Sequence, residues 1–550
     1  MSYGPPHSEF TESARAADRA QRQRRTRAVA GLAALLALVL CTGGWMIWAA
    51  ADDEDTRRNP AAAPQAPDDI RDTAETTPRS LAGRKAVEYV EDDLKAAYGR
   101  DTVHAPGAWA TDKTFVRGVG AGLKGFAFGT LEEKWSTRLD GPICDTTRHV
   151  TVDGRTAVLF QARAESADRD KRDDKKSDNK KDSGKGKKPK DKKPKSKSKN
   201  KKDDKKSDGK KKNDGKKKRD KGKPSRADSG AGTVDPYVCD RLAMVDLNTG
   251  KKLWQVRLPE ATHAFAPNTN VTMTRGTVAV AWGRGSAAYA MDGGERLWKN
   301  TGVKSCRDSG FAGGRALLAL VACGDPAAPA YRVQAVDPRT GKPTWTYKVA
   351  RGVKGVYLVS SSPAVLAVAA GDIVPTDLIT LDDRGAYQAT IDLPEKRYVD
   401  TCHRQLFGGV ETCDSIVVGR DQLFLATEGD IGDGNWIVSF DLATGKTVRK
   451  FGPKGLARVY PLRMSGDKLL ALRPGDQTTP SAVISLDPGT GKEAPFLLFG
   501  TPRVSNLTEP GESDVIVEDG RVFFAPRELE TENTGEWKGT AYGALGVEPS

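Results

Sequence analysis

The stretch Asp246–Trp254, DLNTGKKLW, returns at Asp337–Trp345 as DPRTGKPTW, and looser copies punctuate the second half of the chain. With the aspartate as marker, copies begin at Asp246, Asp292, Asp337, Asp382, Asp441 and Asp487, at intervals of 46, 45, 45, 59 and 46 residues. Repetition at that length is the signature of a propeller blade. Between copies lie short alternating or β-branched runs, such as VTMTRGTVAVAW before Asp292 and ALLALVAC and YRVQAVD before and into Asp337. They predict four short strands per unit.

Each copy has the chemistry of a hairpin turn. The Asp carboxylate folds onto nearby backbone N–H groups, and Gly250, Gly341, Gly445 or Gly491 supplies the positive φ that closes the turn. The Trp four residues later opens the outer strand, where a large flat ring suits packing against the next unit. Trp254, Trp298 and Trp345 are therefore assigned to inter-blade packing, with ligand stacking as the alternative. FGTLEEKWSTRL at Phe128–Leu139 reads as one further unit, with Trp135 in the docking place. Six turns after residue 240 and this one make a seven-bladed ring the expected architecture. Eight blades is the alternative, because KTFVRGVGAGLKGFAFG upstream supplies further strands. VIVEDGRVFFAPRE and GTAYGALG provide early strands of a last blade but no final one, so an N-terminal strand is expected to complete it and hide both edges.

These copies resemble the tryptophan-docking repeat of the PQQ-like β-propellers, a superfamily that includes quinoprotein dehydrogenases, the outer-membrane assembly lipoprotein BamB and many extracytoplasmic actinobacterial proteins. The resemblance spans roughly residues 109–545. Asp292–Trp298 is shortened to DGGERLW, Asp382–Tyr387 reads DDRGAY, and the copies at Asp441 and Asp487 lack the Trp, so later blades must pack by other side chains. The resemblance implies an all-β fold and leaves function open. For a quinoprotein dehydrogenase it implies PQQ with calcium, an Asp base and, commonly, an adjacent-cysteine disulfide. The chain has no Cys-Cys pair, and His7, His104, His149, His263 and His403 show no paired spacing. Asp430, Asp433 and Asn435 in EGDIGDGNW are oxygen donors close in sequence, but they lack the spacing and terminal Glu of a calcium loop, and a surface turn is the competing reading. No catalytic, cofactor-binding or metal-binding residue is assigned. The expected function is non-catalytic binding or scaffolding in the cell envelope, with a PQQ-dependent dehydrogenase of alcohols or sugars as the alternative.

Outside the repeats, residues 28–50 form an uncharged run of 23, long enough at about 1.5 Å per residue to cross a bilayer. Arg15, Arg19, Arg22, Arg24, Arg25 and Arg27 precede it and Asp52, Asp53, Glu54 and Asp55 follow. The positive-inside rule then places residues 1–27 in the cytoplasm and the propeller outside a single-pass membrane anchor. Three readings compete: a cleaved signal peptide ending near Ala49 and Ala51, lipidation at Cys41, before which Leu40 is not small, and a twin-arginine signal at Arg24 and Arg25, which lacks the hydrophobic residue that usually follows. With Cys41 inside that run, six cysteines remain. Repeat register pairs Cys306 with Cys323 on successive strands, Cys402 with Cys413 around an inserted loop, and Cys144 with Cys239 around a longer insertion. A zinc site is the rival reading, without the CxxC or paired His it needs.

Residues 51–79, with Pro60, Pro64 and Pro67, read as an extended tether. Residues 80–108 read as an amphipathic helix and lead-in, with Val87, Val90, Leu94 and Tyr98 on one face, Ser80 as N-cap and Gly99 as stop. The propeller is assigned to residues 109–550, interrupted by an insertion over residues 166–230. Of that insertion, residues 171–226 hold 29 Lys or Arg against 10 Asp or Glu, so the formal charge of +14 belongs to this segment and the rest of the chain carries −5. With no aliphatic or aromatic residue it has nothing to bury and is expected to be disordered. It suits nonspecific contact with polyanions, or no partner at all. Without aromatic residues for base stacking, sequence-specific nucleic acid is not an expected partner. An envelope protein or glycan is.

Overall fold

The second strand of each unit is apolar at nearly every position. TVAVAW (Thr277–Trp282), LALVAC (Leu318–Cys323) and AVLAVA (Ala364–Ala369) are buried throughout. Such a run fits a strand covered on both faces, and here each neighbouring blade is the cover. The outermost strands instead alternate, as in Glu133–Arg138 and Pro343–Lys348, where half-buried residues interleave with exposed ones.

A computed structural model of the chain describes residues 65–162 and 238–550, apart from residue 131 and the loop segments 262–263, 302–304, 372–373, 400–401, 403–409, 430–433, 453–457, 476–477, 503–506 and 533–536. Eight four-stranded antiparallel sheets form the ring. From inner to outer strand, blade 1 runs from Ala108–Ala110 to Glu133–Arg138, blade 2 from Ile143–Thr146 to Lys252–Arg257, and blade 3 from Thr269–Thr274 to Arg296–Asn300. Blade 4 runs from Cys306–Ala312 to Pro343–Lys348, blade 5 from Gly355–Ser361 to Tyr387–Asp392, blade 6 from Ile416–Val418 to Thr447–Phe451, and blade 7 from Tyr460–Ser465 to Glu493–Phe499. Blade 8 takes Ser513–Glu518, Arg521–Pro526 and Ala541–Pro549 from the C-terminal end, and Gly83–Glu91 as its outer strand.

The expected seven blades are therefore corrected to eight. A ring closed by an N-terminal strand has one outer turn fewer than it has blades, because the last two strands of blade 8 come from distant parts of the sequence. The helix expected within residues 80–108 is corrected too. Val87 and Val90 fit a helical spacing, but Val87 and Tyr89 also fit a period of two, and pairing Gly83–Glu91 with Ala541–Pro549 buries both. Tertiary pairing outweighs the local pattern. Only Leu94–Tyr98 is helical, capped by Asp93, with Gly99 at φ 72 ending it.

Closure is reinforced between blades 8 and 1. Phe523 stacks on Phe115 at 4.8 Å. The fully buried Arg117 donates from Nε to Gly543 O at 3.1 Å, from Nη1 to Ala105 O at 2.7 Å and Gly107 O at 2.9 Å, and from Nη2 to Pro526 O. Burial lowers its guanidinium to about 10.

Blade-to-blade docking follows one rule. Trp135 lies over Gly250, Trp254 over Gly294, Trp298 over Gly341 and Trp345 over Gly385, each ring so close that a Cβ on the glycine would fall 2.3–2.8 Å from it. Trp254 Nε1 donates to Met291 O and Trp298 Nε1 to Pro338 O, both at 2.8 Å. Each acceptor stands three residues before the turn glycine. In blade 6 the missing Trp is replaced by Arg449, which lies against Gly491 and donates from Nε to Pro488 O at 3.1 Å, the corresponding acceptor. In blade 5 Ala389 holds the place, and Gly445 approaches the Thr390 carbonyl directly.

The turn carboxylates behave as their chemistry requires. Asp246, Asp337, Asp441 and Asp487 each accept from backbone N–H groups two or three residues on. Asp292 is a correction. Gly294 N donates to Ala290 O as Gly250 N does to Asp246 O, so Ala290 holds the anchoring register. Asp292 sits two residues on and pairs with Arg155 Nη1 at 2.8 Å.

Candidate functional site

The inner strands surround an axial cavity of about 940 Å³. Two segments cross it, one from an interruption of the repeat pattern and one from the stretch that precedes the repeats. The first is the connection between blades 5 and 6, which accounts for the 59-residue interval. The disulfide Cys402–Cys413 closes this loop. Val410 O accepts from Leu358 N at 2.7 Å, and the next residue, Glu411, projects to the far side of the ring. Its Oε1 lies 3.1 Å from His149 Nε2 and 3.7 Å from Arg148 Nη2, both from blade 2, and Thr272 Oγ1 of blade 3 donates to Oε2 at 2.8 Å. Burial by itself raises the Glu411 carboxyl, yet the His149 contact and Arg148 outweigh it and bring the group to about 2.

Asp414 extends the network. It accepts from Arg148 Nη1 at 3.0 Å and from Arg527 Nη2 at 2.6 Å, and Arg527 Nε reaches Asp514 at 2.9 Å. At the wall, half-buried Asp145 accepts from Val271 N at 2.8 Å and Thr146 N at 2.8 Å. Desolvation, with the Glu411 charge added, overrides these bonds and pushes its carboxyl up to about 7. Of the two carboxyls facing one cavity, Glu411 is thus held ionised while Asp145 titrates near neutral pH.

The second crossing segment lies on the other side of the cavity, where Ile70–Thr73 line the wall. Ile70 forms an antiparallel bridge with Thr151 of blade 2. Asp72 then reaches Arg315 of blade 4, while Arg71 Nε and Thr73 Oγ1 reach Glu518 of blade 8 at 2.5 and 2.7 Å. Blades 4 and 8 are opposite in an eightfold ring, so the segment crosses the axis. Further on, Glu75 is 2 % exposed, accepts from Gly520 N at 2.7 Å and Asp519 N at 3.0 Å, and pairs with Arg463 of blade 7. Residues 65–79, read as free tether, are thereby corrected to a docked strap. Polar satisfaction by six blades holds them, a signal that proline content does not carry.

The other residues singled out in the sequence fall as follows. Cys144–Cys239, Cys306–Cys323 and Cys402–Cys413 are bonded. Asn435 exchanges hydrogen bonds with Val459 and donates to Thr427 O, joining blades 6 and 7. The run at residues 28–50, the insertion at 166–230, His7, His263, His403, Asp430 and Asp433 lie outside the described residues. Among the described residues no helix is long and apolar enough to cross a membrane. Also among them, no three His, Cys, Asp or Glu side chains converge as a metal site requires. Sequence reading missed Arg148, Glu411, Asp414 and Arg527, and it noted His149 only as a histidine without a spaced partner. The one signal toward Glu411 and Asp414 was the long interval from Asp382 to Asp441, which contains Cys402 and Cys413.

The architecture is that of an eight-bladed, tryptophan-docked propeller with a charged axis. Residues 240–494 match the family model described as outer membrane protein assembly factor BamB, so this stretch is made of PQQ-type propeller repeats. The sequence matches no curated protein. Among solved structures, BamB from Moraxella catarrhalis is similar at 11% identity and a TM-score of 0.37, over 82% of this chain and 98% of that one. The quinohemoprotein alcohol dehydrogenase ADHIIG from Pseudomonas putida HK5 is similar at 10% identity and a TM-score of 0.42, over 86% of this chain and 77% of that one. Neither likeness bears on activity.

Proposed function

We propose that the protein is a membrane-anchored, extracytoplasmic propeller that binds or scaffolds other molecules of the cell envelope and does not catalyse a reaction. The observation that carries this reading is the state of the axis. Glu411 is engaged by His149, Arg148 and Thr272, and Asp414 and Asp514 by Arg148 and Arg527. A quinone with a bound calcium ion needs convergent oxygen ligands and cations for its own carboxylates. Glu411, Asp414 and Asp514 are already matched by these partners, so they do not fit that pair. The arginines before residue 28, the apolar run after them and the three disulfides support an anchored, oxidised, external location. An envelope protein or glycan is the partner proposed, with the Lys-rich insertion adding nonspecific contact to polyanions.

Quinone-dependent dehydrogenation is the second reading, favoured by the cavity volume and by the raised carboxyl of Asp145. Calorimetric titration of the purified protein with pyrroloquinoline quinone and Ca²⁺, followed by a dye-linked dehydrogenase assay with alcohols and sugars, separates the two. The binding reading expects neither cofactor heat nor turnover. Stoichiometric cofactor binding with turnover overturns it. Orientation is tested by protease treatment of intact cells, where the propeller is expected to be digested; protection in cells shown to admit the protease would refute it.

A further inference from the structure

The strap lies on a mouth of the cavity that is rich in arginine. Arg275 of blade 3, Arg315 of blade 4 and Arg420 of blade 6 stand in the turns that follow their inner strands, and Arg463 stands in the inner strand of blade 7. Residues 66–78 carry four carboxylates, Asp68, Asp69, Asp72 and Glu75, against one cation, Arg71. Three of these four meet the arginines: Asp69 accepts from Arg275 at 3.1 Å, Asp72 from Arg315, and Glu75 from Arg463. The main chain is read as well. Arg71 N donates to Val150 O at 2.8 Å, Val152 N to Asp69 O at 2.9 Å, and Arg463 Nη1 to Thr73 O at 2.7 Å. Extended backbone and acids spaced three residues apart are thus recognised together, as a peptide ligand would be.

One arginine of the mouth is not neutralised by the strap. Arg420 is exposed and lines the same cavity, and among the described residues it has neither a hydrogen bond nor an ion pair.

We propose that this mouth is a docking groove for an extended acidic peptide segment of a partner protein, and that residues 66–78 occupy it in cis as the chain's own competitor. The proposal rests on the binding-module reading and names the partner class for that cavity. Tethering keeps the strap at an effective concentration on the order of millimolar, so a partner gains access only when it outcompetes or peels back the strap. The buried Glu75 is the fixed end. Asp69 and Asp72 meet arginines that are 69% and 67% exposed, and they form the releasable part.

The test uses the full chain and a fluorescent synthetic peptide of residues 65–79, followed by anisotropy. Wild type is expected to bind it weakly. Asp69→Asn with Asp72→Asn, which leaves Glu75 in place, is expected to bind about tenfold more tightly because the cis competitor is loosened. Adding Arg315→Glu to that variant is expected to weaken binding about fivefold, and a peptide with all four acids replaced by amides is expected not to bind. Equal affinity of wild type and the double variant, or equal affinity for the neutral peptide, overturns the proposal. Should the double variant fail to fold, Arg420→Glu in an otherwise unchanged chain is the independent probe, since that side chain is exposed and unpaired. It is expected to lower peptide affinity about threefold, and an unchanged affinity refutes the groove. Turnover with quinone would defeat the underlying reading as well, whereas a silent peptide beside silent quinone defeats only the acidic-peptide assignment.

Discussion

Gly341→Ala separates the docking rule from backbone geometry. Gly341 has φ +70, and an added Cβ would lie 2.8 Å from Trp298 Cδ2, 3.0 Å from Cγ and 3.2 Å from Cε2. The left-handed backbone costs an L-residue about 1–2 kcal/mol. Forcing the ring off its seat adds about 1–3 kcal/mol of overpacking. Gly352 is the internal control, at φ +86 with no atom within 4 Å of an added Cβ. Gly352→Ala is therefore expected to lose only the backbone part, about 1–2 kcal/mol. Trp298→Ala alone is expected to cost about 3 kcal/mol, from lost ring burial and the lost bond to Pro338 O. In that background the clash has no partner, so Gly341→Ala falls to the Gly352 value and the cycle shows a coupling of about 1–3 kcal/mol. Guanidinium unfolding followed by circular dichroism, with disulfides intact, measures all five proteins. Additivity within about 0.5 kcal/mol, or equal losses at Gly341 and Gly352, would show that the indole is not seated on the glycine.

Three other outcomes are expected. Arg449→Ala loses about 1–2 kcal/mol, while Arg449→Trp retains wild-type stability because an indole N–H can reach Pro488 O; a larger loss for Trp than for Ala in the same unfolding assay would contradict the docking-place equivalence. Asp145 has a folded carboxyl raised to about 7 from 3.8, so its contribution is fully present below pH about 4 and is lost as pH rises through about 7. Asp145→Asn keeps the acceptor for Val271 N and should remove that decline, which a stability profile from pH about 4 to about 8 would reveal; an unchanged slope would count against it. Deleting residues 171–226 leaves the propeller's melting transition nearly unchanged, because the segment has no apolar side chain to contribute to a core. A clear drop in calorimetric Tm would mean that it packs.

Much of the ring is legible in one dimension because its determinants are local. The Asp–Gly turn is closed by bonds spanning a few residues, and the docking Trp stands four residues from the turn Gly in its own blade, so spacing alone reveals both. The cysteines pair within one blade or one loop, and register found them. The blade count was not local, since the eighth blade joins Gly83–Glu91 to Ala541–Pro549 across most of the chain. A pattern of apolar residues compatible with either a helix or a strand had no means of announcing its partner.

The axis shows the same division more sharply. By itself, the sequence determined the repeat, its turn chemistry, its packing aromatics and the uneven placement of charge. Only the tertiary structure decided which charges meet. Glu411 finds His149 from 262 residues away and Glu75 finds Arg463 from 388, pairs that exist because ring closure brings opposite blades to one axis. Ion pairing has no sequence period, so carboxylates and arginines that look like ordinary surface residues in the chain become a strap, a crossing loop and a cavity wall only when eight sheets face inward together.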